Sequence, residues 1–148
     1  MLDPNNIPPV EDDELLARYA TQSGHFRSSD NQVKKGLFLP HPRQELSVTR
    51  HREATEAELW SAGSSVVAAL KKPLYGRADI RAGDCKIEML RVVSKPIKNS
   101  PKGPANPNHA DITGWPTAKE DQLAIAQKLA AAASKLIPPP STLSLSGE

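Results

Sequence analysis

Histidines stand beside other ionisable residues at two points where predicted elements of structure meet. His51 lies between Arg50 and Arg52, after a predicted strand and just before a predicted helix, and His109 lies two residues before Asp111 on the approach to another helix. The first turn of a helix has unpaired N–H groups and the positive end of the helix dipole, and both favour an anion. If the two junctions converge, His51 and His109 have the chemistry of a general acid–base pair that cleaves a phosphodiester without a metal.

The surrounding residues extend this hypothetical cleft into a ligand site. We predict that Arg43, Arg50 and Lys119 contact a phosphate and that Asp111 lies beside them. Trp115 has two interpretations. It stacks on a base or sugar of the ligand, or, as an aromatic residue just before a helix, it packs that helix against the core. The second arrangement is the more common one, and the ligand-binding role of Trp115 stands beside it as the alternative.

A metal site is a further alternative on residue type alone. His109 and Asp111 have the short spacing found in two-histidine, one-carboxylate metal sites, which would need His41 or His51 as the second histidine. The sequence lacks His-Glu-x-x-His, Cys-x-x-Cys, a glycine-rich phosphate-binding loop and a dinucleotide fingerprint. It also lacks Gly-x-Ser-x-Gly. We therefore expect neither a metal nor a cofactor.

The other reactive side chains have simpler structural interpretations. Asp79 and Glu88, with Lys86 nearby, are residue types of a nuclease site, but acidic residues on a hairpin usually form cross-strand ion pairs. Cys85 falls within a predicted strand pair, where a buried and inert thiol is expected rather than a nucleophile. These residues add no enzymatic signature.

The net charge of +2 conceals an uneven distribution along the chain. Residues 1–24 carry five acidic side chains and one basic one, whereas residues 25–103 carry 15 basic and eight acidic ones. This excess of cations, a possible basic patch, favours a polyanionic partner. The simpler interpretation is a solvated basic surface that the acidic N-terminal segment partly covers, because the basic residues are spaced rather than clustered.

Two classes of function follow. The favoured one is a non-enzymatic binding or accessory module that recognises nucleic acid, a phosphorylated ligand or a larger protein partner. The alternative is a small metal-independent phosphodiesterase or phosphotransferase that uses His51 and His109, so the sequence leaves enzymatic activity undecided. No segment has the roughly 20 apolar residues that span a bilayer, no secretory signal is present at the N-terminus, and a single cysteine excludes an internal disulfide. A cytoplasmic protein without a membrane partner is expected.

Two helices have the clearest local signals. Thr55 and Glu58 form a potential capping box for a helix over 55–71, which Pro73 would stop. Thr117 and Glu120 form another for a helix over 117–136, which Pro138 would stop. Apolar residues recur at helical spacing in both segments.

The remaining elements are predicted from shorter patterns. Asp12 or Asp13 could cap a short helix that ends near Ala20. Alternation over 45–50 predicts a half-buried strand, and 77–81 with 86–93 predict a hairpin around Gly83 and Asp84. Because helices and strands do not alternate regularly, the expected class is α+β, a small and mainly antiparallel sheet with the two capped helices packed on one face.

Proline clusters define the expected limits of the domain. The chain has 14 prolines, which gather near both ends and between residues 94 and 108. Proline fixes φ and lacks a backbone donor, so such clusters interrupt helices and central strands. We predict disordered ends at 1–11 and 138–148 and a single domain over 12–137 with a long loop at 94–108.

Overall fold

The main element of the fold is a five-stranded antiparallel sheet. The computed structural model describes residues 1–42 and 44–141. The strands of the molecule are β1 (Leu15–Ala20), β2 (Phe26–Arg27), β3 (Gln32–Val33), β4 (Leu46–Arg50), β5 (Gly76–Arg81), β6 (Arg91–Ser94) and β7 (His109–Thr113). The helices are α1 (Glu56–Leu70), α2 (Ala82–Ile87) and α3 (Lys119–Ala132). The main sheet has the order β5-β1-β4-β7-β6, and β2 pairs with β3 separately. This arrangement confirms the predicted α+β class.

The strand β1 replaces the helix predicted between Asp12 and Ala20, so that prediction is wrong. The segment contains leucine, alanine and arginine, which all have good helix propensity, so the local sequence favours a helix. In the folded chain, β1 lies between β5 and β4, and Leu16 and Ala17 are both fully buried although they point to opposite faces of the sheet. Burial on both faces of an inner strand outweighs the weak local preference for helix.

The helix α1 confirms the prediction over 55–71. The Thr55 side chain accepts a hydrogen bond from the Glu58 backbone N–H, and the Glu58 side chain accepts one from the Thr55 N–H. Gly63 lets the helix approach the sheet closely, because a Cβ at this position would lie 2.7 Å from Cε1 of Tyr19. The Tyr19 hydroxyl donates a 2.6 Å hydrogen bond to the carbonyl of Leu59, so the helix and the sheet are joined at this point.

The helix α3 confirms the second prediction but is shorter at both ends. Ala118 is its N-cap, and no side chain caps it, so the capping box predicted at Thr117 and Glu120 does not form. Beyond Ala132 the chain becomes extended, and Ile137 forms an antiparallel bridge with Arg77 of β5. The predicted last turn of the helix is therefore used to cover the edge of the sheet.

The hairpin predicted around Gly83 and Asp84 is wrong. Both residues lie in α2, and the strand that follows, β6, pairs with β7 instead of β5. The strand β7 was not predicted, because the polar residues of His109–Thr113 were interpreted as the approach to a helix. Pairing on both sides, with β4 and β6, is what makes this segment a strand. Ile87, the last residue of α2, is 75% exposed.

The two long helices lie on opposite faces of the sheet, which corrects the expectation that both pack on one face. Leu16 and its cross-strand neighbour Ile80 belong to the main core together with Leu129 of α3. Tyr19, which contacts α1, pairs with Arg77 and points to the other face, because successive side chains of a strand alternate. Both faces of the sheet are therefore covered by a helix.

The N-terminal segment, which was predicted to be disordered, makes contacts with the rest of the chain. Leu2 is 2% exposed, and its N–H donates to Asn108 Oδ1 at 2.8 Å. In the predicted long loop, Ile97 bridges Asn106 and Ser100 bridges Gly103. Residues 142–148 of the predicted tail lie outside the described residues. No helix within residues 1–42 and 44–141 is long and apolar enough to cross a membrane.

Candidate functional site

Arg50, predicted to hold a phosphate, is instead a fully buried structural residue. Its Nε and Nη2 atoms donate to the two carboxylate oxygens of Glu14, both at 2.8 Å, and its Nη1 donates to the Pro8 carbonyl at 2.8 Å and to Ser94 Oγ at 3.3 Å. Burial raises the pKa of Glu14, but hydrogen bonds and the positive charge of Arg50 lower it overall. The guanidinium of Arg50 has no surface open to a ligand.

His51 is held at the β5 side of the sheet. Its Nε2 lies 2.8 Å from Asp79 Oδ1, which also accepts a 3.1 Å hydrogen bond from Nε of Arg77. Burial raises the pKa of Asp79, but the contacts with His51 and Arg77 lower it overall. Arg77 also donates two hydrogen bonds to Glu56 and lies 4.9 Å from the ring centre of Trp60. This is a network of paired charges that joins α1 to β5.

His109 is held at the other side of the sheet. Its Nδ1 lies 2.9 Å from the carbonyl of Lys95, and its Nε2 lies 3.7 Å from Asp111 Oδ1. Asp79 and His109 are separated by three strand steps, from β5 through β1 and β4 to β7, at about 4.8 Å each. The imidazole bound to Asp79 therefore lies roughly 10 Å or more from that of His109. The structure does not bring His51 and His109 together.

The other predicted site residues are also dispersed. Asp111 is 4% exposed and lies 3.4 Å from both Ser47 Oγ and Lys95 Nζ. Trp115 is buried in the main core, where its Nε1 donates to the Ile112 carbonyl at 3.0 Å. Lys119 is exposed at the start of α3. Arg43 lies outside the described residues. Within the described part of the chain, no three histidine, cysteine, aspartate or glutamate side chains form a group that could hold a metal ion.

A large concave surface lies elsewhere, and residues of α1 and β4 are among those that line it. We call it the main cavity; its volume is about 1050 Å³. Ser47 and Thr49 of β4 form part of its floor, the C-terminal part of α1 forms one wall, and residues 97–107 form another. Among the described residues that the sequence suggested for a site, His109 lines it, and so does His41, the alternative metal ligand.

Arg18 lies at one end of the main cavity. β1 pairs with β4 through Leu16 and Ala17. The side chain of the next residue, Arg18, connects Leu37, which precedes β4, with Ser47 of β4. Its Nε donates to the Leu37 carbonyl at 2.9 Å and its Nη1 to the Ser47 carbonyl at 3.0 Å. Among the described residues, no carboxylate forms an ion pair with Arg18. Burial lowers the pKa of Arg18 to about 10, which leaves the guanidinium charged at neutral pH.

The Arg18 guanidinium has hydrogen-bond donors that no described residue uses. A guanidinium has five N–H groups, and two of the Arg18 nitrogens are occupied by the carbonyls of Leu37 and Ser47. Its Nη2 makes no hydrogen bond with the described residues, yet no buried nitrogen or oxygen of a described side chain lacks a partner. The Nη2 atom is therefore not fully buried, and Arg18 is among the residues that line the main cavity.

His25 offers a second donor in the same region. Its Nδ1 accepts a 3.3 Å hydrogen bond from the Thr21 backbone N–H, so the proton of the neutral ring is on Nε2. Burial, and then the positive charges of Arg18 and Lys72, lower the pKa of His25 to about 4. The ring is thus a neutral donor at pH 7. Arg18, Lys72 and His25 all line the main cavity.

The charges that line the main cavity leave it positive. Its two carboxylates are already engaged: Glu45 with Lys95 at 3.4 Å, and Glu58 with the amino group of Met1 at 3.1 Å. Lys72 and Lys102 line the cavity, and neither forms an ion pair with a carboxylate in the part of the chain that the structure describes. An anion that enters the cavity therefore meets unneutralised positive charge.

Sequence reasoning missed Arg18, His25 and Lys72 for identifiable reasons. Predicting a helix over 12–20 left Arg18 without a structural role, although a lone arginine among Leu16, Ala17 and Tyr19 was a usable signal of a special environment. His25 fell in a polar stretch interpreted as a loop. Lys72 was interpreted only as a charge that complements the end of a helix.

Comparison with known proteins provides no relative from which a function could be transferred. The chain matches no protein-family model, and neither a curated protein nor a solved structure resembles it significantly.

Proposed function

We propose that the protein is a non-enzymatic binding module that holds a phosphate-bearing ligand in the main cavity, with Arg18 as the principal contact. The observation that carries this proposal is the state of the Arg18 guanidinium. It is largely buried, fixed by the carbonyls of Leu37 and Ser47, and has unused N–H groups but no carboxylate partner among the described residues. A planar guanidinium held in one orientation binds phosphate through two parallel hydrogen bonds.

The neighbours of Arg18 suit the same ligand. His25 Nε2–H is a neutral donor, and Lys72 adds a positive charge. Phosphate oxygens can accept all of these donors at once, and none of them needs to change its protonation state near pH 7. Charge-assisted hydrogen bonds of this kind contribute about 1.5–3 kcal/mol each.

A single phosphate-bearing molecule fits this arrangement better than nucleic acid or a large protein. Binding of nucleic acid needs cations that follow a backbone along an accessible surface or groove. Here Arg18 and His25 lie inside a cavity between α1, β4 and residues 97–107. The alternative of a phosphodiesterase that uses His51 and His109 is not favoured, because His51 is bound to Asp79 of β5, whereas His109 is bound to the carbonyl of Lys95, just after β6.

The test is titration of the full chain with inorganic phosphate, followed by calorimetry or by chemical shifts. We expect saturable binding that Arg18→Gln weakens by about 10- to 100-fold, the equivalent of one charge-assisted hydrogen bond. Arg91→Gln is the matched control, because Arg91 is exposed on β6 and lies outside the main cavity. Failure to bind phosphate, or equal binding by the wild type and Arg18→Gln, would overturn the proposal.

A second pair of variants keeps the test decisive if Arg18→Gln does not fold. Lys72 lines the main cavity, whereas its neighbour Lys71 does not, and both are exposed. Lys72→Gln should weaken phosphate binding without changing the unfolding transition of the protein. Lys71→Gln should leave phosphate binding unchanged. Equal effects of the two substitutions would show that only general surface charge attracts the phosphate.

A further inference from the structure

The main cavity is far larger than a phosphate group. Pockets of about 300–1,000 Å³ bury most of a drug-sized molecule, and this cavity has a volume of about 1050 Å³. Arg18, His25 and Lys72 account for one part of its lining, where β1 and α1 end. The remaining space must be matched to whatever is attached to the phosphate.

The wall that α1 contributes is apolar in part, because Ala62, Val66, Ala69 and Leu70 lie in it beside Glu58, Ser61 and Ser65. Its buried residues are Leu59, Trp60 and Gly63, all in the N-terminal half of the helix. In its C-terminal half, Val66 is only half-buried and Leu70 is 54% exposed, and both line the main cavity together with Ala62 and Ala69. The helix is thus packed on the sheet at one end, and at the other end it leaves apolar side chains facing an open space.

Residues 97–107 add further apolar side chains to the lining. Ile97, which is 44% exposed, lines the cavity with Pro104 and Pro107. Of the two hydroxyl groups on the helical wall, that of Ser65 already donates to the carbonyl of Ser61 at 3.1 Å. A polar body such as a sugar would leave hydroxyl groups against aliphatic carbon, which costs free energy unless they are hydrogen-bonded.

We infer that the ligand is an amphipathic phosphate, namely a phosphate monoester whose organic part is an aliphatic chain or ring, and that this part lies between Val66 of α1 and Ile97. The inference rests on the proposed function, since Arg18 is taken to bind the phosphate. The organic part removes the exposed apolar surface of Val66, Leu70 and Ile97 from water. Removal of apolar surface from water is the main source of affinity for such a group.

The experiment compares octyl phosphate, below its micelle concentration, with inorganic phosphate as ligands of the full chain in calorimetric titrations. We expect octyl phosphate to bind at least about tenfold more tightly, because the octyl group buries several methylene groups. Val66→Gln should weaken the binding of octyl phosphate at least fivefold and leave that of inorganic phosphate unchanged. Val67→Gln is the matched control, because Val67 is also half-buried but does not line the cavity.

The outcomes separate the two proposals. If inorganic phosphate binds in an Arg18-dependent manner and octyl phosphate binds no more tightly, the inference about the organic part is wrong and the proposed function stands. If neither ligand binds, both are wrong. Circular dichroism establishes that each variant is folded, and Ile97→Gln on the exposed wall replaces Val66→Gln if that variant unfolds. Equal affinities of Ile97→Gln and the wild type for octyl phosphate would then overturn the inference.

Discussion

Replacing Arg50 by methionine should destabilise the protein strongly without affecting ligand binding. The Arg50 side chain is 0% exposed and the Glu14 side chain 6%, so the substitution leaves a buried carboxylate without its main cation. Removal of one partner of a buried ion pair typically costs about 3–5 kcal/mol. Arg52, whose Nη1 lies 3.7 Å from Glu14 Oε2, compensates in part, and we therefore expect a loss near the lower limit, about 3 kcal/mol.

Arg52→Met is the matched control for this prediction. Arg52 approaches the same carboxylate, but its side chain is 39% exposed, and ion pairs of exposed residues contribute about 0–1 kcal/mol. The double variant Glu14→Gln/Arg50→Met should recover part of the loss, because it no longer buries an unpaired charge. With the Glu14→Gln single variant measured as well, the loss in the double variant minus the sum of the two single losses gives the coupling energy of the pair.

Urea unfolding monitored by tryptophan fluorescence is a suitable assay, since Trp60 and Trp115 are both buried. With a slope of about 1–3 kcal/mol per molar urea, a loss of about 3 kcal/mol lowers the midpoint by roughly 1 M or more. A loss below about 1 kcal/mol, or one no larger than that of Arg52→Met, would refute the structural role of Arg50. Unchanged stability with loss of phosphate binding would support the ligand-binding role that the sequence suggested.

Two further substitutions test the packing around the main cavity. Gly63→Ala should destabilise the protein by about 1–3 kcal/mol in urea unfolding, because its Cβ would lie 2.7 Å from Cε1 of Tyr19. Gly103→Ala is the control and should have little effect, because no atom lies within 4 Å of the added Cβ. A stabilised Gly63→Ala variant would contradict the close approach of helix and sheet. Stability of the wild type should fall as the pH decreases from about 6.5 toward 4, because the unfolded state takes up a proton on His25 before the folded state, whose pKa is lowered by burial to about 4. His25→Gln should remove about 1–3 kcal/mol of this pH dependence, measured as urea midpoints across that range, and an unchanged slope would show that His25 is not buried in its neutral form.

The sequence determined those elements whose signals lie within a few residues of each other. The helix α1 was predictable because the bonds of its capping box join Thr55 and Glu58, three residues apart, and Pro73 excludes a long continuation. The strand β4 was predictable because alternating side chains face opposite sides of a sheet. The α+β class followed from the order of such elements. The acidic N-terminal segment contacts a basic residue of the central part of the chain, because Glu14 forms an ion pair with Arg50.

Only the tertiary structure decided which charges are buried and which are available to a ligand. Arg50 and Arg52 both lie next to His51 in the sequence. Arg50 is nevertheless fully buried and bound to Glu14, 36 residues away in the chain, whereas Arg52 is exposed. Arg18 was unremarkable within a predicted helix and became the main candidate for ligand binding once β1 was placed between β5 and β4. Strand pairing and the choice of sheet face depend on contacts between distant segments, and these contacts outweigh local propensity because they bury much more surface.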